Sequence, residues 1–255
     1  PLVIQLFGKH PEFFRSAVQE AIAMQAAGID INMGCPARKV IHSGHGASLI
    51  LKPELAFEIV RSCRESTDLP LSVKTRIAWD HSEDENTRTQ KLIEFCLGLE
   101  KAGADMIAIH GRTVKQEYSG EADWNPIYAV KKHLQIPVLG NGDIRSAQDA
   151  IHKIQNLDGV LVGRGCIGQI WLIKQVYEGL HQQEISPAPA WPELKRLILR
   201  HAELSFQRKN EHGIIEMRKN LVAYLKNYPF ASEYRAQMVR VEKLADIEMV
   251  LNQYE

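Results

Sequence analysis

The sequence is poor in cysteine, carries no net charge and contains no long hydrophobic run. Its four cysteines form no Cys-x-x-Cys pair, which argues against a disulfide scaffold and favours a reducing, cytoplasmic compartment. Lys and Arg total 31, as do Asp and Glu, so any polyanionic partner must bind to a local patch. The longest apolar runs have the length of β-strands, so we expect no membrane-spanning segment.

Short apolar runs alternate with longer amphipathic stretches over the first two thirds of the chain. Because the runs are continuously apolar rather than alternating, they predict strands that are covered on both faces. The pattern therefore predicts βαβ units, in either a doubly wound sheet or a (β/α)₈ barrel. The apolar runs are Leu2–Phe7, Ile29–Met33, Leu71–Ile77, Met106–His110, Pro137–Gly140 and Gly159–Val162. The amphipathic segments are Pro11–Ala27, Pro53–Ser66, Thr87–Ala102 and Ser146–Gln155.

A polar and proline-rich stretch, Gln182–Ala190, interrupts this rhythm and is typical of a linker. After it, residues 191–255 show only helical patterns, enough for about four helices. We therefore predict a barrel-forming domain of residues 1–186 and an all-α domain of residues 187–255.

The number of strands leaves two architectures open. A (β/α)₈ barrel needs eight strands, whereas six precede the linker and the chain enters the first of them almost at Pro1. One interpretation is an open sheet of six strands, and the other is a barrel without its first two βα units. The residues at the strand ends favour the barrel, since barrel enzymes keep their chemistry there.

Cys35 follows the second apolar run, between Gly34 and Pro36. We expect Gly34 to permit an unusual backbone turn and Pro36 to stiffen it, which leaves the thiol at the strand tip. A cysteine thiol is mostly protonated at neutral pH and can donate a proton. A lone cysteine is more often a small buried apolar residue, as we expect for Cys63 and Cys96, so position alone leaves both roles of Cys35 open.

Two further polar side chains lie late in predicted strands. Lys74 is costly inside a barrel unless it meets an anion or an electron-rich ring, although an outward-facing lysine on an edge strand is the alternative. His110 ends the next strand, and a single histidine is usually structural.

The last two predicted strands end in glycine-rich turns, Gly140–Asp143 and Gly163–Gly165. Such turns after the last strands of a barrel bind phosphate through backbone N–H groups. Residues 163–168 also match the dinucleotide pattern GxGxxG, but they close the last βα unit instead of opening the first. We therefore predict a mononucleotide phosphate site.

Taken together, these motifs resemble the tRNA-dihydrouridine synthases in order and spacing, from Gln5 to the end of the chain. The resemblance implies an FMN-binding barrel followed by a helical tRNA-binding domain. The segments that carry it are Asn32–Val40, Lys74–Arg76, His110–Thr113, Asn141–Asp143 and Gly163–Gly165.

The resemblance also implies roles for individual residues. Cys35 is similar to the acid that protonates C5 of uracil while reduced FMN delivers hydride to C6, with NADPH or NADH as the reductant. A monomer without metal is expected. The implied flavin ligands are Gln5, Lys74 and His110, the implied phosphate ligands are Asn141, Gly142, Asp143, Gly163 and Arg164, and the implied substrate ligands are Asn32, Arg38, Lys39 and Arg112.

The helical tail is consistent with an RNA partner, since residues 195–226 hold eight Lys or Arg against three Glu. Two other interpretations stay open. A dihydroorotate dehydrogenase-like barrel shares the Asn-x-x-Cys-Pro strand end but has no need of a helical tail. A non-catalytic RNA-binding relative would keep the barrel but has no need of Cys35 and Lys74.

Overall fold

The fold is known from a computed structural model that describes residues 1–226 and 231–253. Six parallel strands form one sheet, and every predicted strand is confirmed within one residue at each end. The strands are β1 Val3–Leu6, β2 Gly28–Asn32, β3 Leu71–Arg76, β4 Met106–His110, β5 Val138–Asn141 and β6 Gly159–Leu161.

Helices follow the strands, as the amphipathic segments predicted. One short helix, Arg38–His42, was not expected, because five residues are too few to show a helical period. The helices are α1 Pro11–Ala23, α2 Arg38–His42, α3 Pro53–Arg64, α4 Glu85–Lys101, α5 Asn125–Lys131, α6 Ala147–Ile154, α7 Leu172–Leu180, α8 Trp191–Tyr224, α9 Ala231–Met238 and α10 Leu244–Asn252.

Each strand pairs with the next strand in the chain, in the order β1-β2-β3-β4-β5-β6. A doubly wound sheet reverses its strand order at a switch point, whereas a (β/α)₈ barrel keeps strictly to chain order. The observed order therefore confirms the barrel class. The central strands are covered on both faces, as their continuous hydrophobicity predicted. Ile31, Val73 and Ile107 lie side by side on one face and are fully buried, and Ser72, Ala108 and His110 on the other face are also buried.

The chain divides into two compact units. The first comprises residues 1–144 and 149–161, which include all six strands, and the second comprises residues 145–148 and 162–255. The domain boundary that we place near residue 186 stays a prediction.

The second unit has an apolar core of its own, built on helix α8. Leu194, Ile198 and Ala202 recur at a spacing of four residues and are fully buried, with residues of α9 and α10 in the same cluster. Helix α8 breaks at Asn210, whose φ is +52°. With this break counted, the described tail contains the four helical segments that the pattern predicted.

We predict that Ile198→Ala lowers the free energy of unfolding by about 2–5 kcal/mol, because it removes a fully buried side chain and leaves a cavity. Leu204→Ala on the same helix is the matched control, since 45% of that side chain is exposed and its loss leaves no cavity. Urea denaturation followed by circular dichroism measures both. Equal effects of the two variants would contradict the described packing of α8.

Candidate active site

The sheet brings most of the predicted site residues to the carboxyl ends of neighbouring strands. Asn32 is in register with Lys74, and His110 is in register with Asn141, so both pairs lie side by side across strand junctions. Gln5 is in register with Asp30, two residues before Asn32. All these residues belong to the first compact unit.

Cys35 is held by the side-chain amide of Asn32. The Oδ1 atom of Asn32 accepts hydrogen bonds from the backbone N–H groups of Gly34, at 3.1 Å, and Cys35, at 2.9 Å. The amide nitrogen of Asn32 donates to Oε1 of Gln5 at 2.8 Å. Because the amide is fixed at both ends, the half-buried Cys35 is held in one backbone conformation.

The half-buried carboxyl group of Asp30 continues this chain of hydrogen bonds. It accepts from Nε2 of Gln5 and from the hydroxyl of Ser72, both at 2.6 Å. Burial raises the pKa of Asp30, while the bonds from Ser72 and Gln5 and the charge of Lys74 act in the opposite direction. Asp30 was missed as a site residue in the sequence, where it is one acidic residue in an apolar run.

A residue of strand β3 hydrogen-bonds to the turn that carries Cys35. The guanidinium of Arg76 donates to the carbonyl oxygen of Gly34 at 2.8 Å. The expectation for Gly34 was wrong, since its φ is not positive. A Cβ atom at Gly34 would lie 3.3 Å from the carbonyl oxygen of Lys74, so glycine eases a close approach of the turn to β3.

A second glycine, Gly46, supports the turn from the other side, and the sequence did not single it out. Its φ is +57°, and a Cβ atom would lie 3.2 Å from Cβ of Cys35. The next residue, Ala47, donates its backbone N–H to the carbonyl oxygen of Cys35 at 3.2 Å. Any side chain at position 46 would therefore push against the cysteine.

Lys74 does not lie on an edge strand, since β3 pairs with β2 and β4. Its ammonium group donates to Oδ1 of Asn141 at 3.3 Å, across the strand β4. Burial lowers the pKa of Lys74, as does the charge of Arg76, while Asp30 opposes the shift. The alternative of an outward lysine is therefore excluded.

Arg112 lies in the interior, where 2% of its side chain is exposed. Its Nη2 atom lies 2.8 and 2.9 Å from the two carboxylate oxygens of Asp143, and the guanidinium also donates to the carbonyl oxygens of Ser119 and Gly120. It lies 3.4 Å from Nε2 of His110. Expected to bind substrate, Arg112 is instead enclosed by protein acceptors.

The turn after β5 has two consecutive residues with positive φ, Gly142 at +130° and Asp143 at +51°. A Cβ atom at Gly142 would meet Ala122 at 2.6 Å and the ring of His110 at 3.2 Å, so the turn packs against β4 through glycine. The carboxylate of Asp143 also accepts the backbone N–H of Ala122 at 2.8 Å.

The other glycine-rich turn belongs to the second unit, where residues 164–166 form a short 3₁₀ helix. Gly168 has a φ of +80°, and a Cβ atom there would overlap the backbone of Ala223 in α8. Packing against α8 explains the last glycine of the GxGxxG match, so this glycine does not require a dinucleotide.

A groove of about 670 Å³ opens beside the Cys35 turn, in the first unit. Both predicted substrate ligands of helix α2 lie on it, at exposed positions. The residues that line it are Pro36, Arg38, Lys39, Ile41, His42, Trp79, Val114, Lys115 and Glu117.

Comparison with known proteins identifies the family. The dihydrouridine synthase family model matches residues 1–254. The chain is 36% identical to a probable tRNA-dihydrouridine synthase 1 of Synechocystis, over 99% of this chain and 70% of that protein. It is 35% identical to the tRNA-dihydrouridine synthase B of Pseudomonas aeruginosa, over 95% and 72%. The chain belongs to the dihydrouridine synthase family.

This membership makes the chain an enzyme of a flavin-dependent oxidoreductase family, and it excludes the dihydroorotate dehydrogenase-like interpretation. Among solved structures, the dihydrodipicolinate synthase of Acinetobacter baumannii resembles the chain with a TM-score of 0.50 and 13% identity, over 99% of this chain and 79% of that one. This likeness concerns the fold alone.

Two further observations concern the described residues of the chain. No group of three or more His, Cys, Asp or Glu side chains among them could hold a metal ion. In the same part of the chain, no helix is long and apolar enough to cross a membrane.

We predict that Asp30→Asn gains stability relative to the wild type as the pH rises from about 4 to 7. Because the pKa of Asp30 is raised, the folded state holds its proton more tightly than the unfolded state does, so ionisation costs the wild type stability with rising pH. The neutral amide avoids this cost. Urea denaturation across that pH range measures the difference.

Asp84→Asn is the control with the opposite sign. Hydrogen bonds from Thr87 lower the pKa of Asp84, so the wild type gains stability with rising pH and the amide variant does not. The idea of a costly carboxylate at Asp30 fails if the two variants show the same trend with pH.

Proposed function

We propose that this enzyme reduces uridines in tRNA at the C5–C6 double bond. The observation that carries the proposal is the half-buried Cys35, fixed by Asn32 at the end of β2, next to the register position of Lys74 on β3. The curated relatives, named tRNA-dihydrouridine synthases, support the same substrate. When bound, FMN supplies hydride to C6 of uracil and is reduced again by NADPH or NADH.

The donor groups at the strand ends fit an isoalloxazine ring. Lys74 is a half-buried cation whose one side-chain hydrogen bond in the described residues is to a neutral amide, so an electron-rich ring or anion would compensate its charge. The Nε2 atom of Gln5 carries two N–H groups, and Asp30 accepts one of them. The second can reach a ring carbonyl, and His110 completes the proposed flavin ligands.

The turn at Asn141, Gly142 and Asp143 fits a phosphate. Consecutive residues with positive φ turn successive backbone N–H groups towards one side, which makes a concave site for anions. The carboxylate of Asp143 would repel a phosphate, but Arg112 neutralises it. Gly163 and Arg164, in the second unit, stay predicted phosphate ligands on the family resemblance.

The chain itself contributes one proton and the orientation of the base. Hydride addition at C6 leaves negative charge at C5 and O4, and the thiol of Cys35 donates the proton that C5 takes up. The second N–H of the Asn32 amide can donate to a uracil carbonyl, since Gln5 accepts only one. A uridine inside folded tRNA must leave its stack to reach this position.

We further propose that residues 187–255 bind tRNA, through phosphate contacts that favour affinity over sequence choice. Part of the basic excess on α8 is already paired, since Lys209 lies 2.7 Å from Glu216 and Arg200 lies 3.2 Å from Glu203. Because fewer cations of α8 are then available for phosphate, we include Arg38 and Lys39 among the proposed tRNA contacts. A monomer in the cytoplasm stays our expectation.

We predict that Cys35→Ala lowers the rate of uridine reduction at least ~100-fold, because a general acid contributes ~10²–10⁴-fold. Flavin binding and flavin reduction by NADPH should persist, since neither needs that proton. The measurement is single-turnover oxidation of the reduced, flavin-loaded enzyme by unmodified tRNA.

Cys63→Ala and Cys96→Ala are the matched controls. Both thiols are fully buried, and burial raises the pKa of Cys63 to about 12 and raises that of Cys96 further. These variants should lose packing but keep the rate. Near-normal oxidation by Cys35→Ala would make Cys35 structural, and a colourless protein after flavin addition would favour a non-catalytic RNA-binding relative.

We predict that Arg112→Met weakens FMN binding at least ~10-fold, because it removes the buried guanidinium that pairs with the Asp143 carboxylate beside the proposed phosphate turn. Adding Asp143→Asn to this variant should recover part of the affinity, since it removes the negative charge that Arg112 offsets. Titration of the apoprotein with FMN measures both variants, and thermal melting checks that both are folded.

The same pair of variants separates two roles for Arg112. A residue that binds substrate, as the family resemblance implies, would raise the KM for tRNA and leave FMN affinity unchanged. A residue that supports the phosphate turn would weaken FMN binding first. Unchanged FMN affinity in Arg112→Met would sink the second role.

A further inference from the structure

The groove beside the Cys35 turn combines an apolar floor with a basic rim. Pro36, Ile41, Trp79 and Val114 supply the apolar surface. At about 670 Å³, the groove is within the range of pockets that hold organic ligands of nucleotide size. Neither the phosphate turn nor the proposed flavin ligands contribute to its lining.

Two backbone hydrogen bonds fix the segment that carries Trp79. The carbonyl oxygen of Trp79 accepts the N–H of Lys115 at 3.0 Å, and that of Ala78 accepts the N–H of Val114 at 2.9 Å. Its side chain is half-buried, and in the part of the chain that the structure describes no other aromatic ring pairs with it. A fixed indole on the groove wall can stack on a planar group.

The rim has an excess of positive charge in a chain whose net charge is zero. Arg38, Lys39 and Lys115 face a single lining carboxylate, Glu117. Lys115 lies 3.4 Å from Asp80, whereas Arg38 and Lys39 form no ion pair with any described residue. Free cations around an aromatic surface are typical of sites for single-stranded nucleic acid.

The position of the groove decides which nucleotide it would take. Pro36 lines the groove and directly follows Cys35, so the groove adjoins the proposed site of the target base without containing the cysteine. A uridine extruded towards Cys35 leaves the stack, so each of its chain neighbours loses a stacking partner. An unstacked neighbour needs a new stacking partner.

We propose that this groove is a subsite for a nucleotide that flanks the target uridine, with its base on Trp79 and its phosphate near Arg38 and Lys39. The inference rests on the proposed reduction of tRNA and adds a substrate-binding residue, Trp79, to it. Because stacking tolerates every base, the subsite favours an unstacked neighbour rather than a particular sequence.

The test compares Trp79→Leu, which keeps apolar volume without a ring, with Trp79→Phe, which keeps a ring. Fluorescence anisotropy measures the Kd of unmodified tRNA and of labelled pentauridylate. We expect Trp79→Leu to raise both Kd values roughly 5- to 100-fold, the effect of losing one stacked base, and Trp79→Phe to raise them less than about threefold. The saturating rate of uridine reduction should stay within about twofold, because Trp79 does not touch the reacting atoms.

Salt dependence separates stacking from charge. Trp79→Leu should leave the slope of log Kd against log salt unchanged, whereas Lys39→Ala should reduce it by about one. Unchanged Kd values in Trp79→Leu, or equal losses in the Leu and Phe variants, would overturn the subsite. Trp79-dependent binding of hexaglutamate in place of RNA would overturn it as well, in favour of an acidic peptide.

The same data keep the two proposals apart. If RNA binding depends on the ring of Trp79 but the wild type forms no dihydrouridine, the subsite stands and the proposed reaction fails. If the wild type forms dihydrouridine and the Kd values ignore Trp79, the reaction stands and the subsite fails.

Discussion

The geometry of the site depends on one side-chain amide, that of Asn32. Its oxygen accepts two successive backbone N–H groups at the Cys35 turn, and its nitrogen is fixed by Gln5 on the neighbouring strand. A loop after a strand is otherwise among the more mobile parts of a barrel, and a proton donor must be positioned within hydrogen-bond reach of its acceptor. Through these hydrogen bonds, the amide fixes the loop to strands β1 and β2.

The sheet in turn limits what the amide can do. Gln5 can fix Asn32 only because Asp30 holds the other end of Gln5, and Asp30 is itself held by Ser72. Gln5 lies on β1, Asp30 and Asn32 lie on β2, and Ser72 lies on β3. The network of hydrogen bonds therefore needs these three strands in register. The half-buried carboxylate of Asp30 makes this arrangement costly, since partial burial raises its pKa. A raised pKa beside a functional site is thus the cost of orientation here, rather than a sign that Asp30 reacts.

The strands could be predicted from sequence to within one residue, because a strand buried on both faces is a local apolar run with polar boundaries. The positions of the strand-end residues could be predicted as well, since the end of each apolar run marks the carboxyl end of a strand. What the sequence could not reveal were contacts between distant positions. Arg112 follows His110 in a motif that resembles a substrate site, but its partner, Asp143, is 31 residues away. Gly34 and Gly46 show the same limit: one is needed for interstrand approach and the other for contact with Cys35.

The distribution of charge explains how a chain without net charge can suit a polyanion. The two buried arginines of the first unit have their own acceptors, Asp143 for Arg112 and the carbonyl oxygens of Gly34, Thr113 and Glu117 for Arg76. These guanidinium groups bind acceptors in the turns and are not exposed to solvent. On α8, glutamates take up part of the excess in the same way. The cations left without an ion pair on α2 flank the groove at Cys35, so the positive field is concentrated where a phosphate chain would have to pass. Net charge is therefore the wrong quantity for judging this partner, and the location of unpaired cations is the right one.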